Sequence, residues 1–243
     1  MVPRNLHEAK RWLHKAATRG NAEAQLRLGG ILHESGIEGE QNEGRSWIER
    51  AAQHGLPEAQ DKLGMVHETG SNTAAVNYAA AKACYMRAAE QGFAPAQVHL
   101  ASIFERLGDR AMALHWFQRA ADAGSAAGLN GAGLLLEAGG DPLVADPKEA
   151  VKLYQQAAAK GLSDADFNLG HCFQKGVGIT QDLVRAYECY ERAAFRGHSA
   201  AQNNLGVMLE KGIGIAKNVG DALRWYRQAA AASDPAAQCN LGW

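Results

Sequence analysis

An Ala-Ala-x-x-Gly pattern recurs down this chain at Ala16-Ala17 with Gly20, Ala51-Ala52 with Gly55, Ala88-Ala89 with Gly92, Ala120-Ala121 with Gly124, Ala157-Ala158 with Gly161 and Ala193-Ala194 with Gly197. A seventh copy, Ala229-Ala230, closes on Ser233 instead. Successive copies lie 35, 37, 32, 37, 36 and 36 residues apart. Two more columns keep register with them. Eight residues after each closing position comes Leu28-Gly29, Leu63-Gly64, Leu100-Ala101, Ala132-Gly133, Leu169-Gly170, Leu205-Gly206 or Leu241-Gly242. Eleven residues before it stands a small residue: Ala9, Gly44, Ala81, Ala113, Ala150, Ala186 or Ala222. Three columns in register at this period describe a stack of one supersecondary unit, each copy relying on its neighbours to bury its apolar face.

Each unit reads as two helices. From Asp182 to Phe195, Leu183, Ala186, Tyr190 and Ala193-Ala194 fall at helical spacing. Gly197 then supplies the positive φ of a helix C-terminus. Ser199 is placed to cap the next helix, whose apolar line is Ala201, Leu205 and Leu209. The loop from Lys211 to Ile215, with Gly212 and Gly214, reverses the chain. The small columns have a steric reason: Ala and Gly let neighbouring helices pack backbone to backbone, and larger side chains would push the stack apart. The chain holds 47 Ala and 27 Gly, nearly a third of its 243 residues. With alanine set aside, the larger apolar residues are too few for one broad core and suffice for a thin continuous seam. The fold class expected is all-α.

Composition excludes several functions. Apolar residues make up 47% of the chain, too many for a disordered segment. No apolar run is long enough to cross a bilayer, so no direct membrane insertion is expected. Twenty-five Lys and Arg against 26 Asp and Glu leave a formal charge of −1 with no basic block, which argues against a nucleic-acid partner.

The run from Ala200 to Ile215 followed by Asp221 to Ala230 resembles the Sel1-like repeat. The preceding copy, Ala165 to Ala194 with Gly176 and Gly178 in its loop, resembles it equally. The resemblance extends over essentially the whole chain. It implies α/α hairpins stacked into a right-handed superhelical solenoid related to tetratricopeptide arrays, and an adaptor or scaffold role without chemistry of its own. Two copies depart from the pattern. The 32-residue interval joins its helices through Leu107–Ala111 without the glycine loop. The fourth copy carries Gly128 and Gly131 inside a helix, each costing roughly 1 kcal/mol relative to Ala, so 125–138 is expected to be the softest part of the stack.

Alignment of the copies puts Val2 opposite Ile179 and Ile215, so the chain reads as starting inside an inter-helix loop, while Leu241-Gly242-Trp243 stops partway through a helix. The expectation is a single repeat domain over 1–243 with about seven helical pairs, the first and last incomplete, cut from a longer protein. No compartment follows from it.

The four cysteines are Cys84, Cys172, Cys189 and Cys239. Disulfide-stapled relatives place a close pair across the turn between successive repeats, a spacing absent here. Cys84 and Cys189 share a second-helix column occupied elsewhere by Trp or Leu, and read as small core residues. No disulfide is expected, although the sequence leaves open whether Cys172 and Cys189 meet across one hairpin. His171-Cys172 has no second pair at metal spacing, and neither metal nor cofactor is expected. Trp12, Trp47, Trp116 and Trp225 stand eight residues before the closing position, and Tyr85, Phe117, Tyr154, Tyr190 and Tyr226 fill the next column. A stripe repeated in this way reads as core. Trp243 falls in neither column. The Gly-x-Gly pairs Gly176/Gly178 and Gly212/Gly214 follow helices, where a dinucleotide fingerprint requires a strand. No nucleophile elbow, phosphate loop or polar cluster outside the repeat positions stands out.

The remaining signal is the first-helix face, which the family turns towards a concave groove. Seven residues after the closing position it carries Arg27, Lys62, His99, Gly131, Asn168, Asn204 and Asn240; fourteen after it, Glu34, Thr69, Arg106, Ala138, Lys175 and Lys211. Pairing of Glu23 with Arg27 and of Glu58 with Lys62 at i,i+4 is expected. In the C-terminal half an Asn ladder flanked by Lys suits an extended peptide: amides serve its backbone, and Lys meets an acidic side chain or terminal carboxylate. The same residues can instead bond between neighbouring repeats. The candidate partner-binding residues are Asn168, Asn204, Asn240, Lys175, Lys211, His171, Arg27 and Lys62. The reading is a non-catalytic scaffold that binds a protein or peptide; its alternatives are a glycan-associated module of cell-envelope or polysaccharide assembly, which needs exposed groove aromatics, and a hydrolase, which needs a polar cluster outside the repeat.

Overall fold

The computed structural model describes residues 6–70 and 75–242. Val2 and Trp243 lie outside them. The chain divides into two compact units, residues 1–123 and 124–243. The first holds α1 (Leu6–Thr18), α2 (Ala22–His33), α3 (Glu38–Gln53), α4 (Pro57–Thr69), α5 (Tyr78–Glu90), α6 (Ala94–Arg106) and α7 (Arg110–Asp122). The second holds α8 (Ala126–Ala138), α9 (Pro147–Ala159), α10 (Ser163–Lys175), α11 (Leu183–Phe195), α12 (Ser199–Lys211), α13 (Val219–Ala231) and α14 (Pro235–Leu241). Among the described residues the sole β feature is one isolated bridge, Gly140 with Leu143. The all-α expectation holds. The hairpins are α2/α3, α4/α5 and α6/α7 in one unit and α8/α9, α10/α11 and α12/α13 in the other.

The turn column has a conformational cause. The six closing glycines have φ of 83–88°, and Ser233 adopts φ 64° in the seventh copy. The Asp182 carboxylate caps α11 by accepting the backbone N–H groups of Val184 and Arg185. One expected cap moves by a residue: Ser199 is the first residue of α12, and His198 Nδ1 accepts the Ala201 N–H at 3.1 Å.

The small column works differently from expectation in most hairpins. A Cβ on Gly64, Gly133, Gly170 or Gly206 would strike the ring of Tyr85, Tyr154, Tyr190 or Tyr226. The glycine thus makes room for an aromatic ring in these four hairpins, whereas Gly29 approaches the backbone of Gly44 in α2/α3. Each ring is buried and anchored at its tip: Tyr85 to Glu68, Tyr154 to Glu137, Tyr190 to Gln174 and Tyr226 to Glu210, at 2.8–2.9 Å. Burial, first among the causes, pushes the Tyr190 hydroxyl up to about 12. The tyrosines, Phe117, Trp47 and Trp116 are buried as expected, but Trp12 is 56% exposed. Trp225 is half-buried, edge-on to Phe195 of α11. Trp47 packs on α2, the first helix of its own hairpin, and no described residue supplies such a helix to α1.

A further column is polar and carries no apolar periodicity. Gln25, Gln60, Gln97, Gln202 and Gln238 stand five residues after the closing position. Each side-chain amide donates to the carbonyl of the second anchor alanine, Ala17, Ala52, Ala89, Ala194 or Ala230, at 3.1–3.5 Å. These carbonyls lie in the last turn of the preceding helix, where the helix itself offers no donor. These five amides therefore stitch successive helices together at their turns.

Candidate functional site

In the first unit the cations of the first-helix face are paired. Arg27 Nε donates to Glu23 at 2.8 Å, as expected, whereas Lys62 reaches Glu34, the C-cap of α2, at 2.9 Å and not Glu58. The inter-repeat pair prevails because a lysine on α4 can span the narrow gap to α2. Lys62 lowers the carboxyl pKa of Glu34 mainly through its hydrogen bond. Arg106 bonds Glu68 at 3.0 Å and the Tyr78 hydroxyl at 2.6 Å. His99 Nδ1 lies 2.7 Å from the buried Asp61, and this hydrogen bond holds the imidazole pKa above its ordinary value. Arg27 and Lys62 also border a groove of about 920 Å³ with Trp12, Leu26 and Ile31.

The asparagines of the second unit are engaged with neighbouring repeats. Asn168 Nδ2 donates to Asn130 Oδ1 on α8 at 2.9 Å, and Asn240 Nδ2 to Asn203 Oδ1 on α12 at 2.9 Å. Asn204 acts on the Tyr190 hydroxyl, lowering its pKa against the larger effect of burial, while the hydroxyl proton goes to Gln174. Lys175 and Lys211 differ. Both are exposed in the last turns of α10 and α12, and neither has an ion-pair partner among the described residues. His171 is exposed one turn before Lys175 on the same face as Asn168. Asn168 and His171 border a groove of about 520 Å³ with Phe167 of α10 and Leu134, Glu137 and Ala138 of α8. Leu134 is 45% exposed there. Asn204, Asn240, Lys175 and Lys211 border neither groove.

The cysteines are free thiols, with Cys84, Cys172 and Cys189 buried and Cys239 exposed. Burial, the largest cause, pushes Cys172 up to about 12.

One polar cluster departs from the repeat pattern. Asp166 occupies the glutamine column of α10 and is fully buried. A carboxylate has no proton to offer the anchor carbonyl, so Asp166 accepts instead: from Arg192 Nε at 2.8 Å and from Arg196 Nη1 in a short contact. No polar cluster standing apart from the repeat was expected; Asp166, Arg192 and Arg196 form one on repeat positions. Its sequence signal is a single acid in a column of glutamines.

The Sel1 repeat family matches residues 1–21, 22–56, 57–93, 94–125, 126–162, 163–198 and 199–234. The chain belongs to the Sel1 repeat family. A Sel1 repeat protein from Oxalobacter formigenes superposes with a TM-score of 0.84 at 31% identity, over 99% of this chain and 71% of that one. A protective antigen present in uropathogenic Escherichia coli strains, displaying an SLR fold, gives 0.79 at 30% identity over 91% of this chain. The present chain spans 48% of that antigen's length. An immunity protein from Pseudomonas aeruginosa, Pa5087, shares the fold alone, with a TM-score of 0.60 at 14% identity over 86% of this chain and 81% of that one. No curated protein matches. Sel1 repeats generally mediate protein–protein interaction. No described helix is long and apolar enough to cross a membrane.

Proposed function

We propose that this Sel1 repeat chain is a non-catalytic scaffold that binds an extended segment of a partner protein along the first-helix face of residues 124–243. One observation carries the reading: the contrast between the paired cations of the first unit and the unpaired, exposed Lys175 and Lys211 of the second. Surface lysines without acids gain most from a ligand that brings the acid. The groove bordered by Asn168 and His171, one helical turn from Lys175, offers Leu134 and Phe167 to an apolar side chain. The segment expected is therefore one that alternates an acidic group with an apolar one. Asn168, Asn204 and Asn240 enter this reading as the polar staples that fix the spacing of the face, with their remaining amide capacity turned to the ligand backbone.

The test is selection of a displayed random-peptide library on the immobilised 243-residue chain and on the Lys175→Ser/Lys211→Ser variant. Both lysines are exposed, so the variant keeps its fold. Acidic–apolar peptides enriched on the wild type and lost on the variant support the proposal. Equal recovery on both, or no enrichment on either, refutes it.

A further inference from the structure

The Asp166 cluster lies at the junction of α9, α10 and α11, away from the groove residues. It is a departure from the chain's own rule. Five of the seven positions in this column hold glutamine, neutral and bonded to an anchor carbonyl. The fifth full repeat replaces that arrangement with a carboxylate removed from water and two arginines. A buried carboxylate is costly unless paired, and here the pairing is complete, with one guanidinium on each oxygen.

The arginines are not correspondingly buried. Their side chains remain 45% and 40% exposed, and both border a pocket of about 320 Å³ closed by Gln155, Ala158 and Leu169. Apart from Asp166, the pocket wall carries no carboxylate. Each guanidinium has five N–H donors in a rigid plane. Asp166 takes one from each, Arg192 gives another to Cys189 Sγ at 3.1 Å, and the rest have no protein partner among the described residues. The second acid on α10, Asp164, lies with His198 at 3.6 Å. Two guanidiniums held side by side by one carboxylate, carrying a net positive charge, form a forked donor set open to solvent. The acceptor that fits a pair of forks is a tetrahedral oxyanion with several oxygens.

We propose that Asp166, Arg192 and Arg196 form a phosphate-binding site, with Arg192 and Arg196 contacting the phosphoryl oxygens and Asp166 acting as the positioning residue that holds the two guanidiniums together. The ligand chemistry is a phosphoryl group, carried on a partner's side chain or free in solution. The site stands independently of the groove, so its failure leaves the peptide proposal intact.

Removing either arginine alone strands a buried carboxylate and invites misfolding. The informative variant is Asp166→Gln/Arg192→Gln/Arg196→Ala. It copies the residues at the same three positions of the next repeat, Gln202, Gln228 and Ala232, a set this chain already folds around. Inorganic phosphate, a phosphoserine peptide and its unphosphorylated twin are titrated into wild type and variant at constant ionic strength, with binding read by calorimetry. The expected result is saturable binding of a phosphorylated probe to the wild type, weakened roughly ten- to a hundredfold in the variant through loss of charge-assisted hydrogen bonds. Tighter binding of the peptide assigns the site to a modified partner, and tighter binding of inorganic phosphate assigns it to the free anion. No saturable binding, or equal binding by wild type and variant, overturns the proposal, as does equal affinity for the unphosphorylated twin.

Discussion

Gly29 and Gly30 are neighbours in α2 with opposite surroundings. A Cβ on Gly29 would lie 2.7 Å from Ile48 Cγ1 and 2.8 Å from the Gly44 carbonyl oxygen, whereas a Cβ on Gly30 would meet nothing within 4 Å. Any Gly→Ala change inside a helix gains about 1 kcal/mol from backbone entropy. For Gly30→Ala nothing opposes this, so a stabilisation of up to about 1 kcal/mol is expected. For Gly29→Ala the obstacle includes a backbone carbonyl on α3, which moves only if the whole helix moves, and overpacking of this kind costs typically 1–3 kcal/mol. The net expectation is a destabilisation of up to about 2 kcal/mol, and a gap of roughly 1–3 kcal/mol between the two variants. Urea unfolding read by far-ultraviolet circular dichroism, with the buried Trp47 as a fluorescent reporter on α3, measures both. Equal effects, or stabilisation by Gly29→Ala, would refute the claim that the close approach of α2 and α3 dictates the glycine at position 29.

Three further outcomes follow from the same structure. Ser233→Gly relieves the non-glycine residue at φ 64° and is expected to add about 1 kcal/mol, seen as slower amide exchange in α13 and α14. His99 has its folded pKa raised by Asp61, so its contribution to stability is full below the unfolded value near 6.5 and disappears as pH rises through the folded value. Unfolding of wild type and His99→Gln across that window should converge as pH rises; His67, whose pKa burial lowers, has the opposite sign but is common to both proteins. Alkylation of the native chain followed by mass spectrometry should modify Cys239 alone, with Cys84, Cys172 and Cys189 reacting only after denaturation.

The architecture was legible because helix packing repeats in sequence as it does in space. Every copy must place a small residue where a neighbouring ring or backbone comes close, so Gly64, Gly133, Gly170 and Gly206 fall into one column with one cause. The surface was less legible. Lys62 can reach an acid four residues back on its own helix or one on the helix beside it, and periodicity does not distinguish the two; the structure selects Glu34. Trp12 shares a column with buried tryptophans, but the burial of that column belongs to the helix that covers it. Asp166 differs from glutamine by the loss of one donor group. That loss carries meaning only once the column is known to cap a carbonyl, and bonds between side chain and backbone leave no periodic apolar trace.

The direct test of the scaffold claim is a hydrogen–deuterium exchange footprint of the chain with and without a peptide selected on it. Protection is predicted in α8 and in the last turns of α10 and α12, around Leu134, His171, Lys175 and Lys211, and should fade with added salt as the lysine contacts are screened. Protection confined to the second helices α9, α11 and α13, or no change in exchange on saturation, would contradict it.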